Sequence, residues 1–184
     1  MKLLLHICCA PCSTATVEAW RLDGTEVAGA FFNPNIHPFA EHRLRYETLL
    51  AYAGRIGLPL VGGPEYDITG WLRRVSANDE RPGRCRLCIS QRLDHTARLA
   101  AGNGFDTFST TLLVSPYQEH ETVRAEGERA AAAAGVKFAY RDLRPRYRRS
   151  IELSREAALY RQKYCGCIYS DAEAAAGRGQ TPQP

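Results

Sequence analysis

Apolar residues recur along the chain in two alternating patterns, short runs and longer segments with helical spacing. The short runs predict five strands, over Lys2–Ile7, Val27–Phe32, Leu58–Val61, Thr107–Ser109 and Val136–Tyr140. The longer segments predict six helices, over Ser13–Leu22, Glu41–Ile56, Ile68–Val75, Leu87–Ala101, Glu119–Ala134 and Ile151–Tyr164. Strands separated by helices in this order are typical of a parallel sheet.

We therefore expect an α/β fold, a single domain with a Rossmann-like, doubly wound and mostly parallel sheet that has helices on both faces. No linker, internal repeat or second core interrupts residues 1–176, and residues 177–184 are predicted to form a disordered tail. Ser13 is the predicted N-cap of the first helix, Ser76–Arg84 a surface loop, and Gly135 the residue that ends the alanine-rich helix.

Composition indicates a globular protein. Hydrophobic residues make up 45% and charged residues 24% of the 184 residues, and that length is enough to bury a substantial core. No apolar run approaches the roughly 20 residues that cross a bilayer, and the opening segment lacks the cleavage site of a signal peptide. We expect a cytoplasmic location.

Seven cysteines stand in three groups along the chain. They are Cys8, Cys9, Cys12, Cys85, Cys88, Cys165 and Cys167. An odd, clustered set in a reducing compartment favours metal binding or redox chemistry over a framework of structural disulfides. The first group follows the first strand, at the edge where such sheets bind ligands and where nucleotide-binding proteins carry glycines. Thiols at this position predict soft-metal ligation or thiol redox chemistry in place of phosphate binding.

The spacing within the other two groups adds to this prediction. Cys85 and Cys88 form a C-x₂-C pair near the start of a helix, where the helix dipole favours the thiolate. Spacing alone does not choose the metal, so a zinc site joined across the fold stays open. Cys165 and Cys167, separated by one glycine, predict a strained and reducible disulfide that relays two electrons. Two unrelated cysteines after a helix are the alternative.

Five motifs, in order along the chain, resemble those of the QueH-type epoxyqueuosine reductases. They are HICCAPCS, FFNPNIHP, RCRLCISQRL, STTLLVSPYQ and QKYCGCIYS, and the resemblance runs from about Lys2 to Ser170. It implies a cobalamin-independent oxidoreductase that converts epoxyqueuosine at the wobble position of tRNA to queuosine. The partners that it implies are a tRNA carrying epoxyqueuosine and an electron donor that the sequence does not identify.

The resemblance also implies roles for the cysteines. The ligands that it implies for a [4Fe–4S] cluster are Cys8, Cys9, Cys85 and Cys88. Cys165 and Cys167 are then the catalytic, redox-active pair. Cys12 has no assigned role in the cluster, and two roles stay open for it, binding of a second metal ion (iron) and contact with the substrate.

Basic charge is concentrated in one part of the chain. The net charge is +4, and the window from Arg141 to Lys163, with eight basic and three acidic residues, carries +5. The residues that we expect to bind tRNA phosphates are Arg144, Arg146, Arg148 and Arg149, with a solvated helix start as the alternative. Tyr164 and Tyr169 flank the last cysteine pair and are candidates for stacking on a base.

The residues alone leave the proton donor and the function class open. The candidate donors are His6, His37, Tyr117 and His120, and a buried structural role is the alternative for His6.

Two other functions also remain. One is a nucleotide-binding hydrolase or tRNA thiolase with a thiol-based sulfur carrier, and the other is a zinc-binding module on nucleic acid.

Overall fold

The computed structural model of the protein describes residues 1–179, which form five strands and seven α-helices. The strands are β1 (Lys2–His6), β2 (Glu26–Ala30), β3 (Leu60–Val61), β4 (Thr107–Thr110) and β5 (Lys137–Phe138). The helices are α1 (Ala10–Leu22), α2 (Phe39–Arg55), α3 (Ile68–Val75), α4 (Gly83–Gly102), α5 (His120–Ala134), α6 (Tyr147–Glu156) and α7 (Ile168–Gly179). Two 3₁₀ turns, Thr111–Val114 and Arg144–Arg146, follow β4 and precede α6. None of the described helices is long and apolar enough to span a bilayer.

The five strands form one parallel sheet in the order β3-β2-β1-β4-β5. This order confirms the predicted doubly wound α/β fold. The chain moves outward from β1 to β3 and then returns to pair β4 with the other side of β1, in the register His6 to Thr110. The carboxyl ends of β1 and β4 therefore form the switch point of the sheet, where parallel α/β folds bind their ligands.

Side chains of β1 alternate between two apolar cores, one on each face of the sheet. Leu3 and Leu5 belong to the core that also contains residues of α1 and α2, such as Leu49. Leu4 belongs to the core shared with α4 and α5, where it joins Leu93. Because helices cover both faces, all three leucines are fully buried, which explains the unbroken apolar run of the first strand.

Among the predicted helix starts that were wrong, two concern cysteines. Helix α1 begins at Ala10 with Cys9 as its N-cap, so Ser13 lies inside the helix, where its hydroxyl donates to the carbonyl of Ala10 at 2.7 Å. Helix α4 begins at Gly83, inside the predicted surface loop and four residues before the predicted start. The longer α4 places both Cys85 and Cys88 in its first two turns.

The predicted helix Ile151–Tyr164 was also wrong, because the chain leaves the helical conformation after α6 ends at Glu156. Ala158 has a φ of +52°, which a continuous right-handed helix does not accommodate. A separate helix, α7, begins at Ile168 and continues to Gly179, so it includes residues 177–179 of the predicted tail. The rest of that tail, residues 180–184, lies outside the described residues. By contrast, Gly135 ends α5 with a φ of +70°, as predicted.

The same substitution at two helical glycines should change stability in opposite directions. A Cβ on Gly127 of α5 would lie 2.4 Å from the ring of Phe138, which packs against Phe108 in the core. We expect Gly127→Ala to lower the free energy of unfolding by about 1–2 kcal/mol, because overpacking outweighs the gain in helix propensity. Gly54 of α2 is exposed with open space around it, so Gly54→Ala should raise that free energy by about 0.5–1 kcal/mol. Urea unfolding of both variants measures the difference, and a stabilised Gly127→Ala would contradict this packing.

Candidate active site

One cavity of about 620 Å³ lies at the switch point of the sheet and receives all three groups of cysteines. Six of the seven cysteines line it, namely Cys8, Cys12, Cys85, Cys88, Cys165 and Cys167. They come from the loop after β1 and the first turn of α1, from the start of α4 and from the segment before α7. The fold therefore brings together thiols that are up to 159 positions apart in the chain, from Cys8 to Cys167.

The first group forms a compact triad around the start of α1. The sulfur atoms of Cys8, Cys9 and Cys12 all lie within 4.8 Å of one another, and those of Cys8 and Cys9 are 3.7 Å apart. Cys12 lies one helical turn after Cys9 and therefore comes back to the same side of α1. Pro11, in the first turn, suits this position because its nitrogen needs no hydrogen-bond acceptor there. This early helix start, which the sequence analysis missed, gathers the triad.

Hydrogen bonding within the triad favours one negative charge shared among the three sulfur atoms. Bonds from the thiols of Cys12 and Cys9 hold the pKa of Cys8 well below its usual range. Hydrogen bonds from Cys12 to Cys8 and Cys9, with burial, raise the pKa of Cys12 well above its usual range, because that thiol keeps its proton as the donor. A thiolate stabilised in this way is suited to bind a metal ion.

Thr111 fixes Cys8 from the neighbouring strand. The backbone N–H of Cys8 donates to the Thr111 hydroxyl oxygen at 3.1 Å, and that hydroxyl donates to the Cys8 sulfur at 3.3 Å. Thr111 is the first residue after β4, which lies beside β1 in the sheet. The role of Thr111 was not predicted from the sequence, although its position directly after a predicted strand was a usable signal.

Cys85 and Cys88 line the cavity from the start of α4 in a less polar environment. Cys88 is buried in a small apolar cluster with Trp71, Val75 and Cys167. Burial raises the pKa of Cys88 to about 11 and also raises that of Cys85. The predicted effect of the helix dipole is therefore outweighed by desolvation. Both residues keep their protons at neutral pH unless a bound cation displaces them.

The Cys165–Gly166–Cys167 segment lies against the loop that follows β2. The N–H of His37 donates to the carbonyl of Gly166 at 2.8 Å. Gly166 has a φ of +133°, and a Cβ there would lie 3.0 Å from Ile36. Both cysteines are free thiols, Cys165 exposed and Cys167 buried. The thiol of Cys167 accepts a bond from the N–H of Ser170 at 3.4 Å and so caps α7.

Arg45 of α2 holds the backbone of this segment; it belongs to the Arg-Tyr-Glu sequence that follows the FFNPNIHP motif, but this role was not predicted from the sequence. Its guanidinium donates to the carbonyls of Cys165 at 3.0 Å and Tyr164 at 3.2 Å. The same group pairs with Glu41 at 2.7 Å, and the hydroxyl of Tyr160 donates to the other Glu41 oxygen at 2.7 Å. Because Arg45 is 2% exposed and its charge is paired, we infer that it keeps the backbone around Cys165 in place.

Of the candidate proton donors, only Tyr117 lines the cavity among the described residues. His6 is fully buried, with its Nδ1 bonded to the Thr110 hydroxyl at 2.8 Å and its Nε2 to the carbonyl of Phe32 at 3.2 Å. Burial, together with the charge of Arg92, lowers the pKa of His6 to about 4, so this ring is a neutral structural element. His120 binds the carbonyl of Ser115 at 3.1 Å through its Nε2.

The two tyrosines predicted to stack on a base have other partners in the structure. Tyr164 lines the cavity, and its hydroxyl donates to the carbonyl of His37. Tyr169 packs against Trp71, with 6.1 Å between ring centroids, and does not line the cavity. The rim carries a different aromatic pair, Tyr117 and Tyr147, which meet edge to face at a centroid distance of 5.9 Å. Tyr117 is 77% exposed.

The predicted tRNA-binding arginines lie beside the cavity and are mostly engaged in ion pairs. Arg144 pairs with Asp142, and Arg146 and Arg149 both pair with Glu18. Arg148 is exposed and makes no ion pair with any described residue. None of the four lines the cavity, but Tyr147, in the middle of this run, does.

Comparison with known proteins gives one consistent family. The sequence profile of the family described as epoxyqueuosine reductase QueH matches residues 3–173. The chain is 44% identical over 172 residues to the epoxyqueuosine reductase QueH of Dehalococcoides mccartyi, covering 94% of this chain and 93% of that protein. It is 35% identical to the protein of the same name from Thermotoga maritima, covering 91% and 89% of the two chains. Against that of Histophilus somni the identity is 36%, with 92% and 72% covered. This chain belongs to the QueH family of epoxyqueuosine reductases, which are oxidoreductases.

Proposed function

We propose that this protein, in the cytoplasm, reduces the epoxide of epoxyqueuosine at the wobble position of tRNA and so forms queuosine. The observation that carries the proposal is the convergence of six cysteines, from three distant segments, on one cavity at the sheet switch point. Reduction of an epoxide needs two electrons and two protons, and thiols and thiolate-bound iron supply both. The names of the relatives, epoxyqueuosine reductases, agree with this reaction.

The ligand set that we propose for a [4Fe–4S] cluster is Cys8, Cys9, Cys85 and Cys88. Its support is the chemistry of the donors, since four cysteine thiolates are the usual ligands of such a cluster. Two of these residues, Cys85 and Cys88, have raised pKa values and need a bound cation to ionise. When bound, the cluster would supply a store of electrons, and a metal ion beside it with an open coordination position would supply a Lewis acid for the epoxide oxygen.

Cys12 is the candidate ligand of a second metal ion, iron. Its sulfur lies within 4.8 Å of those of Cys8 and Cys9. Thiolates on a single tetrahedral ion, with metal–sulfur bonds of about 2.3 Å, lie about 4 Å apart, which is close to this spacing. The triad is therefore compact enough for one further ion beside the cluster site.

Cys165 and Cys167 are the proposed source of the two electrons. Their thiols give up two electrons and two protons and form one S–S bond. The epoxide takes up both electrons and both protons, its C–O bonds break, a C=C bond forms and the oxygen leaves as water. The exposed Cys165 suits attack by an external reductant, which then restores the dithiol.

The rim of the cavity suits an unpaired nucleotide. A volume of about 620 Å³ is in the range of pockets that bind small ligands. The ring of Tyr117 is mostly exposed, as is typical of side chains that stack on splayed bases. Lys163 lines the same cavity, and Arg144, Arg146, Arg148 and Arg149 are the proposed contacts to tRNA phosphates beyond it.

The paired variants Cys88→Ser and Cys165→Ser should separate cluster binding from electron delivery. Protein purified without oxygen should be brown, contain about four irons and four sulfides at the main cluster, and reduce epoxyqueuosine-containing tRNA with a chemical reductant. We expect Cys88→Ser to lose the cluster and Cys165→Ser to keep it while turnover stops. Iron and sulfide analysis, with mass spectrometry of the digested tRNA, measures both effects. A colourless wild-type protein that holds zinc alone would contradict the proposal.

Removal of the Arg148 charge should make tRNA binding less dependent on salt. Since this side chain is exposed and makes no ion pair within the described residues, it is the member of the arginine run most available to a phosphate. We expect Arg148→Ala to reduce the slope of log Kd against log salt concentration by about 0.9. Arg98→Ala, the same change on α4 outside the run, is the control. If both variants show the same slope, Arg148 does not contact a tRNA phosphate.

Variants of Tyr117 should distinguish stacking on a base from proton donation. We expect Tyr117→Ala to raise KM for the tRNA by about 5-fold to 150-fold, because stacking of one base on an aromatic ring contributes about 1–3 kcal/mol. Tyr117→Phe keeps the ring and should leave both KM and kcat close to wild type. Loss of kcat in Tyr117→Phe with an unchanged KM would instead identify the hydroxyl as the proton donor.

A further inference from the structure

Arg92 brings a buried positive charge to the cavity wall. It lies one turn after Cys88 on α4, and its Nε donates to the carbonyl of Cys88 at 3.1 Å. The residue is 3% exposed and lines the cavity. Its guanidinium is therefore held close to the thiols by the same helix that carries Cys85 and Cys88.

The other arginines of the cavity wall have carboxylate partners, whereas Arg92 has none among residues 1–179. Arg45 pairs with Glu41, and Arg81 and Arg84 both pair with Glu173. The Nε–H of Arg92 has a carbonyl acceptor, but no carboxylate in the described part of the chain neutralises the guanidinium. A buried cation without a counter-charge strongly destabilises the folded state. The folded protein thus has a strong electrostatic reason to hold negative charge in this cavity.

The sulfur atoms around Arg92 are the groups able to carry that negative charge. Cys8, Cys88, Cys165 and Cys167 line the same cavity as Arg92. These four residues come from all three cysteine groups. The positive charge of this one guanidinium therefore favours negative charge on both the proposed cluster ligands and the proposed electron-donating pair. A tRNA phosphate is a poorer partner, because a residue that is 3% exposed is hard to reach from the surface.

We propose that Arg92 is the counter-charge of the iron–sulfur centre and favours its reduced state. This inference rests on the proposed function, because it needs the cluster to be present. A [4Fe–4S] core with four thiolate ligands is an anion, and it gains one more negative charge on reduction. A buried cation stabilises the reduced form more than the oxidised form, and net charge and hydrogen bonds are known to set cluster potentials. Arg92 is a positioning residue, since it acts through the cysteines and their metal rather than on the substrate.

Two substitutions test the charge and not only the shape of this side chain. In Arg92→Gln, which removes the charge, the ratio of reduced to oxidised cluster at a fixed potential should fall at least tenfold. That fall corresponds to a midpoint lower by 59 mV or more for a one-electron couple. Arg92→Lys, which keeps the charge, should stay within threefold of wild type. Arg98→Gln, an exposed arginine on the same helix, is the matched control and should leave the ratio unchanged. Redox titration followed by electron paramagnetic resonance gives the ratio, and iron and sulfide analysis gives the cluster content.

Each outcome decides the inference. If Arg92→Gln holds a full cluster with an unchanged midpoint potential, the inference is overturned. The proposed function still stands in that case, because the variant binds as much iron as the wild-type protein. If Arg92→Gln loses the cluster and Arg92→Lys keeps it with the wild-type midpoint, the requirement for charge is supported. If both variants lose the cluster, Arg92 serves only to position Cys88 through its Nε bond, and the inference is overturned. A wild-type protein without iron overturns both the inference and the proposed cofactor.

Discussion

The pairing of β1 with β4 is the constraint on which the whole site depends. Because His6 stands opposite Thr110 in adjacent parallel strands, the residues that follow each strand emerge at the same edge of the sheet. Cys8 and Thr111 meet there through two hydrogen bonds. The two apolar cores, which share the leucines of β1, hold this register from both faces. A slip of one residue would turn those leucines to the wrong cores and separate the two loops.

Buried thiols and buried guanidinium groups lie together at this edge of the sheet. Desolvation keeps protons on Cys85 and Cys88, whereas the triad after β1 concentrates one negative charge on Cys8. Arg45 is neutralised by Glu41 and binds backbone carbonyls, while Arg92, on the wall of the same cavity, has no carboxylate partner among residues 1–179. The proposed metal centre, with its net negative charge, would supply the counter-charge that Arg92 lacks among the described residues.

Much of the fold was predictable because local patterns agree with the tertiary structure. Helix α3 has the predicted limits, and Gly135 ends α5 because its backbone needs a positive φ. The errors arose where distant residues overrule local preference. The pattern of Ile151–Tyr164 continues as a helix in the sequence, but the chain turns at Ala158 and is held by Arg45, more than a hundred positions away. The three cysteine groups were recognisable as chemistry, yet Thr111, Arg45 and Arg92 were not, because each acts only through partners that the fold supplies.

The Cys165–Gly166–Cys167 segment does not readily accept a substitution at Gly166. Its backbone conformation and its close packing against Ile36 and Arg45 exclude a side chain even when both neighbouring cysteines are reduced. The glycine is therefore required by the architecture of the loop, independently of whether a ring of two cysteines ever closes. A mutant or designed homologue that replaces it would strain the backbone here and press on the side chains of Asn35 and Ile36, so the packing of that turn depends on the missing side chain of a residue more than a hundred positions away.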